Sequence, residues 1–85
     1  MFYVYVLLNN EGRIYIGYSK KLDERIKDHA SGRVEYTKHK RPWKLVYYEA
    51  YSSQHDARVR ERTLKHYGST LGQLKQRIQN SLRKT

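Results

Sequence analysis

No cysteine occurs anywhere in these 85 residues, and that absence constrains the fold more than any other feature. A domain this short buries only about 60–65% of the surface its unfolded chain would expose. One hydrophobic core must therefore supply the stability without covalent help. Disulfides and a thiolate zinc site are excluded, and no thiol nucleophile is available. The length accommodates one domain, residues 1–85. Hydrophobic residues at 38% and charged residues at 31% are too apolar for a disordered tail and too polar for a membrane protein. A reducing cytoplasm is the expected compartment.

Charge narrows the partners. Eighteen Lys and Arg against eight Asp and Glu give a net charge of +10. Residues 1–51 carry +4 and residues 52–85 carry +6, so the excess is spread with a lean to the C-terminal part. A polyanion is the natural partner for such a surface, and nucleic acid is the commonest polyanion. The alternative from charge alone is a solubilising surface. No membrane partner is expected. The apolar opening, Met1 to Leu8, is shorter than a bilayer requires by more than half and lacks a basic region or cleavage site.

Periodicity gives the order β-β-α-β-α-α. Phe2 to Leu8 is rich in β-branched and aromatic residues and closes on Asn9-Asn10-Glu11-Gly12, a turn signal. Arg13 to Tyr18 makes the second arm of a hairpin. Ser19 is the expected cap of a helix from Lys20, with Asp23 and Glu24 in its first turn, an apolar stripe of Leu22, Ile26 and Ala30, and a stop at Gly32. Residues 33–42 read as a basic loop broken by Pro42. Trp43 to Tyr51 is a third strand, and Ser52 or Ser53 opens a helix to about Tyr67 that Gly68 ends. Leu71, Leu74, Ile78 and Leu82 mark a third amphipathic helix. The expected fold is a small α/β (α+β) domain, with a three-stranded antiparallel or mixed sheet flanked by helices.

Four features ask for more than packing. Tyr5 and Tyr15 lie one on each arm of the hairpin, and Gly17 shares a strand face with Tyr15. Glycine within a strand often marks a close approach by a ligand or another chain. Arg25 and His29 lie one helical turn apart, which joins a phosphate-gripping fork to a group able to move a proton near neutral pH. Glu61 falls on the Ala57/Leu64 face of its helix, where a carboxylate requires an arginine, a tyrosine hydroxyl or a metal. Arg33, Lys38, His39, Lys40 and Arg41, with Tyr36 and Trp43 among them, combine cations with aromatics as a nucleic-acid contact does. Core tyrosines, a solvated helix edge and a solvated loop are the bland explanations of these features.

Taken in order, Tyr3-Val4-Tyr5, Tyr15-Ile16-Gly17, Arg25, His29 and Glu61 resemble the GIY-YIG nuclease domain over almost the whole chain. The likeness is greatest to its small stand-alone bacterial members and to the N-terminal domain of the repair excinuclease. The first motif here reads Tyr-Val-Tyr, and where many relatives carry a further asparagine this chain offers Gln73 and Gln76, with Asn80 further on. The resemblance implies an endonuclease that hydrolyses phosphodiester bonds with one divalent ion, Mg²⁺ or Mn²⁺, held by Glu61. It also implies DNA as substrate and a place in DNA repair. Tyr5 would accept the proton of the attacking water and Tyr15 would position that water. Arg25 would stabilise charge on the phosphate, and His29 would relay the proton from tyrosine. Two further expectations stand beside it. One is a basic nucleic-acid-binding module that keeps the fold without cleaving, and the other is a structural protein of the ribosome or nucleoid.

Overall fold

The computed structural model describes residues 1–83. The chain builds β1 (Phe2–Asn9), β2 (Ile14–Ser19), α1 (Leu22–Ala30), a short 3₁₀ turn (Lys38–Lys40), β3 (Trp43–Tyr51), α2 (Gln54–His66) and α3 (Gly68–Arg77). The sheet order is β2-β1-β3, and both pairings are antiparallel. The expected α+β order is thus observed, and among the described residues no strands pair in parallel. The most apolar strand, β1, takes the centre, where it is hydrogen-bonded on both sides.

Alternation along β1 divides the molecule into two layers. Val4 and Val6 meet Ile16 on one face and pack against Ala57 and Leu64 of α2, with Leu74 of α3 and Ile78 just past its end completing the core. Burying a side chain such as Leu64 removes it from water at a gain of about 2–3 kcal/mol. All four residues of the stripe expected for the third helix pack on the core, although α3 itself ends at Arg77 and Ile78 and Leu82 reach the core from beyond it. Tyr3, Tyr5 and Leu7 lie on the opposite face, where His29 of α1 covers Tyr5. A bulge between Val6 and Leu7 leaves Val46 of β3 without a partner in register.

Several local expectations change. Ser19 belongs to β2, and its Oγ accepts from the backbone of Lys21; α1 starts at Leu22 without a side-chain cap. In α1 the expected apolar stripe is only half covered, because Ala30 is exposed and the buried residue is His29. Ser53 does cap α2, accepting from the Asp56 N–H at 3.2 Å. Gly68 starts α3 rather than ending α2; Tyr67 is the single hinge residue between the two helices. Gly32 ends α1 as expected, with φ at +80°, a conformation favouring glycine. Residues 33–42 do not form a plain solvated loop, since Val34 and Thr37 are buried.

Candidate active site

Tyr5 leaves the central strand on the α1 side, and its register partner on β2 is Gly17. A Cβ at position 17 would lie 2.2 Å from Tyr5 Cζ and 2.3 Å from its hydroxyl oxygen. The close approach signalled by a glycine within a strand is therefore made by the chain's own phenol, which lies across β2. Tyr5 is 0% exposed. Its hydroxyl sits 2.7 Å from His29 Nε2.

His29 reaches this point because it points inward from the last turn of α1. It is 1% exposed, and its other ring nitrogen, Nδ1, is 2.8 Å from Thr37 Oγ1. The Tyr15 ring packs edge-on to His29 at 4.9 Å between centroids, and Tyr5 lies 6.3 Å from Tyr15. Arg25, one turn before His29, is half-buried and faces the Tyr5 phenol. Its Nη1 is also 4.0 Å from Asp28 Oδ2. Four residues expected at the site, from three elements, are thus brought together.

Burial governs the protonation of this cluster. It pushes the Tyr5 phenol up to about 12, with Arg25 pulling the other way and losing. It also holds His29 down at about 4, helped by the positive charge of Arg25 and opposed by Asp28. Near neutrality the site thus presents a neutral phenol to a neutral imidazole. His29 is not a cation that could favour a phenolate.

Glu61 of α2 is the carboxylate near enough to Tyr5 to act on its charge. Its Oε2 is 3.0 Å from Lys65 Nζ, one turn on, so part of its compensation comes from a lysine. Lys65 also lies 5.9 Å from the centroid of the Tyr15 ring. Among the described residues no three His, Asp or Glu side chains converge into a cage for an ion. A lone carboxylate fits an ion that keeps its waters and draws its other ligands from substrate phosphates, as Mg²⁺ does.

The basic loop is organised more tightly than its sequence suggests. Arg41 donates to the carbonyls of Ala30 and Lys38 at 3.2 and 2.9 Å, covering Gly32 and tying off the end of α1. Lys38 pairs with Glu35 at 2.9 Å, and Arg33 lies 3.6 Å from Asp28. His39 is exposed and Lys40 half-buried; neither side chain makes an ion pair among the described residues. Tyr36, 73% exposed, stands 5.6 Å from Tyr15. With Lys65, Ile16, Leu64 and Leu71 these two rings line a cleft of about 410 Å³. Gln73 instead lines a separate cavity with Arg60 and Arg77.

Three polar residues escaped the sequence reading. Thr37 is buried against His29. Asn9, seen only as a turn residue, is 4% exposed: its side chain accepts from the N–H groups of Glu11 and Arg13 and donates to the Lys40 carbonyl, joining the hairpin to the basic loop. Glu49 receives Arg60 at 2.9 and 3.0 Å through both carboxylate oxygens, as well as the hydroxyls of Tyr47 and Tyr51. Only the last had a signal, since Tyr47, Glu49 and Tyr51 alternate onto one strand face.

A family model described as the GIY-YIG catalytic domain matches residues 1–70, a span that contains Tyr5, Tyr15, Arg25, His29 and Glu61. A UPF0213 protein from Staphylococcus epidermidis is 39% identical over 66 residues, covering 76% of this chain and 80% of that protein. One from Staphylococcus aureus is 38% identical over the same shares. The solution NMR structure of a UPF0213 protein from Bacillus halodurans is similar with a TM-score of 0.56 and 39% identity, covering 87% of this chain and 82% of that one.

Proposed function

The chain belongs to the GIY-YIG family, and from that premise we propose that it is a metal-dependent endonuclease hydrolysing phosphodiester bonds of nucleic acid, with DNA as its substrate. Membership supports a nuclease-type function; the finer reading rests on the chemistry of the site. One observation carries it. The Tyr5 hydroxyl lies 2.7 Å from Nε2 of an uncharged His29, with Arg25 facing the same phenol.

Water attacking phosphorus must lose a proton. Tyr5, with a phenol held near 12, is no standing base. Its oxygen is buried in the free chain, so substrate must first admit the water to it; it then accepts the water proton as its own proton passes to His29 Nε2. Protonating a buried imidazole is costly, and the negative charge of a bound phosphate reduces that cost, so the route opens when substrate is in place. Arg25 pairs with phosphoryl oxygens as charge accumulates in the transition state. The Tyr15 hydroxyl orients the attacking water. Glu61 would hold one Mg²⁺ or Mn²⁺ ion, which supplies charge neutralisation on the phosphate and help for the leaving group. Arg33, Lys38, His39, Lys40 and Arg41 would contact the flanking backbone, with Tyr36 available for base stacking. Arg41 also braces the loop, and Lys38 and Arg33 are shared with Glu35 and Asp28.

The decisive assay is Mg²⁺- or Mn²⁺-dependent cleavage of branched, flapped and linear substrates. Tyr5→Phe removes one oxygen and should lose roughly a hundredfold or more of the rate, the scale of a lost acid–base group, while remaining folded. Normal cleavage by both Tyr5→Phe and Tyr15→Phe would sink the proton route. A binding module without catalysis is the second reading, favoured by the Lys65–Glu61 pair, which already offsets part of the carboxylate charge.

A further inference from the structure

Thr37 is fully buried in the basic loop, and its hydroxyl meets the ring nitrogen of His29 that faces away from Tyr5. Only two arrangements of protons fit the chain from Tyr5 to Thr37. In the first, Tyr5 O–H donates to His29 Nε2, Nδ1–H donates to Thr37 Oγ1, and the Thr37 hydroxyl donates to the Val34 carbonyl at 3.4 Å. In the second, Thr37 donates to Nδ1 and Nε2–H donates to Tyr5. That arrangement leaves the phenol proton of a fully buried tyrosine with no hydrogen-bond acceptor among the described residues. Buried donors are almost always satisfied, and leaving one bare costs about 1–3 kcal/mol. The Val34 carbonyl does not decide the matter by itself, because it already accepts from the N–H groups of Thr37 and Lys38. The phenol favours the first arrangement, and that arrangement stands only with the Thr37 hydroxyl as acceptor for Nδ1–H.

We propose that Thr37 is a positioning residue of the nuclease site: by accepting from Nδ1–H it holds His29 in the tautomer whose bare Nε2 faces Tyr5. The other tautomer would place a hydrogen on Nε2, where the proton of Tyr5 has to arrive, and the route would be closed. The two ring nitrogens of a neutral histidine differ in this way, and the partner of one sets the state of the other. Thr37 itself is held from two sides, because its backbone carbonyl accepts from Trp43 Nε1 at 2.9 Å and its N–H donates to Val34. Trp43 opens β3, so the loop that carries the hydroxyl is anchored to the sheet that carries Tyr5.

The catalytic part of this proposal rests on the nuclease reading; the tautomer does not, and it can be observed without substrate. Nitrogen-15 correlation spectra of the imidazole rings in the whole chain at pH 7 should show His29 with Nδ1 protonated and Nε2 bare. An Nε2–H tautomer in the wild type overturns the proposal outright. Thr37→Val keeps the shape and removes the acceptor, so His29 should shift to Nε2–H or to a mixture; Thr37→Ser should preserve the wild-type pattern. An unchanged tautomer in folded Thr37→Val also overturns it. Should that variant fail to fold, the wild-type spectrum and Thr37→Ser still decide, the latter by keeping or losing Nδ1–H. In the cleavage assay Thr37→Val should lose at least tenfold in kcat with KM little changed, and Thr37→Ser should recover most of it. A folded Thr37→Val that has lost the tautomer yet cleaves at the wild-type rate overturns the positioning role. If the wild type cleaves nothing, the nuclease reading falls while the tautomer result stands.

Discussion

At the scale of single residues the fold pays most visibly for His29. A histidine held near 4 in the folded chain, against 6.5 as its ordinary value, takes up its proton more readily once unfolded. Its burial is therefore penalised progressively as pH falls through that window, with Arg25 adding to the penalty and Asp28 relieving part of it. Stability should be insensitive to this group above pH 6.5 and fall by about 2 kcal/mol on going to pH 5. For a domain of this size that corresponds to a Tm lower by about 10 °C. His29→Gln should have a lower Tm at pH 7 but lack the extra acid slope. Parallel profiles for the two proteins would show that His29 does not titrate across this window. The spacing of Arg25 and His29 was legible because one helical turn places them on one patch. The bond from His29 to Thr37 was not, because it spans a loop whose path is fixed by Trp43 and Asn9, and no periodicity encodes that. Gly17 announced a close approach, but only the sheet register revealed that Tyr5 makes it.

Between elements, the joint of α2 to β3 is polar. Glu49 receives Arg60 through both oxygens and two tyrosine hydroxyls besides, and its carboxyl is held below the ordinary range although burial works against this. Burial first, and then the bond to Glu49, push Tyr51 up to about 12 against the charge of Arg60. Removing one charge from a largely buried pair leaves the other uncompensated. Glu49→Gln should therefore cost about 2–3 kcal/mol, reduced from the fully buried case because Arg60 retains contact with solvent. Thermal or denaturant unfolding measures this. Cleavage per folded molecule should be unchanged, since Tyr47, Glu49 and Tyr51 occupy the sheet face opposite Tyr5. A selective loss of activity would mean that the two faces are coupled. Element order was readable in full from alternation and helical stripes, because each element buries one face in one core. The ends were less so. Ser19 resembles a cap but is consumed by β2, and Gly68 resembles a stop, yet Tyr67 turns the chain sharply enough for α3 to begin there.

Across the whole molecule, a charge of +10 and the half-buried Glu61 carboxylate pull in opposite directions, and their separation distinguishes a nuclease from a binding module. Binding should weaken steeply with salt, with a log–log slope of about −0.9 for each phosphate neutralised on duplex DNA. A flat response would remove nucleic acid as the partner. Glu61 adds nothing to that attraction. Its bond to Lys65 is an i,i+4 helix pair with the lysine well exposed, worth about 0.3–0.5 kcal/mol, too little to explain a half-buried carboxylate on that helix face. Glu61→Gln preserves the shape and cancels the charge. Its Tm should stay within about 3 °C of the wild type, and its affinity should be equal or slightly higher, because a negative charge near the phosphate is gone. Cleavage in Mg²⁺ or Mn²⁺ should be abolished. If instead Tm drops sharply and cleavage only follows the folded fraction, Glu61 is a structural partner of Lys65. If the wild type cleaves no substrate with either ion and Glu61→Gln binds identically, the charged surface is the whole of the function. Measuring affinity and cleavage on the same variant makes the result decisive, since a binding module predicts that this substitution changes neither.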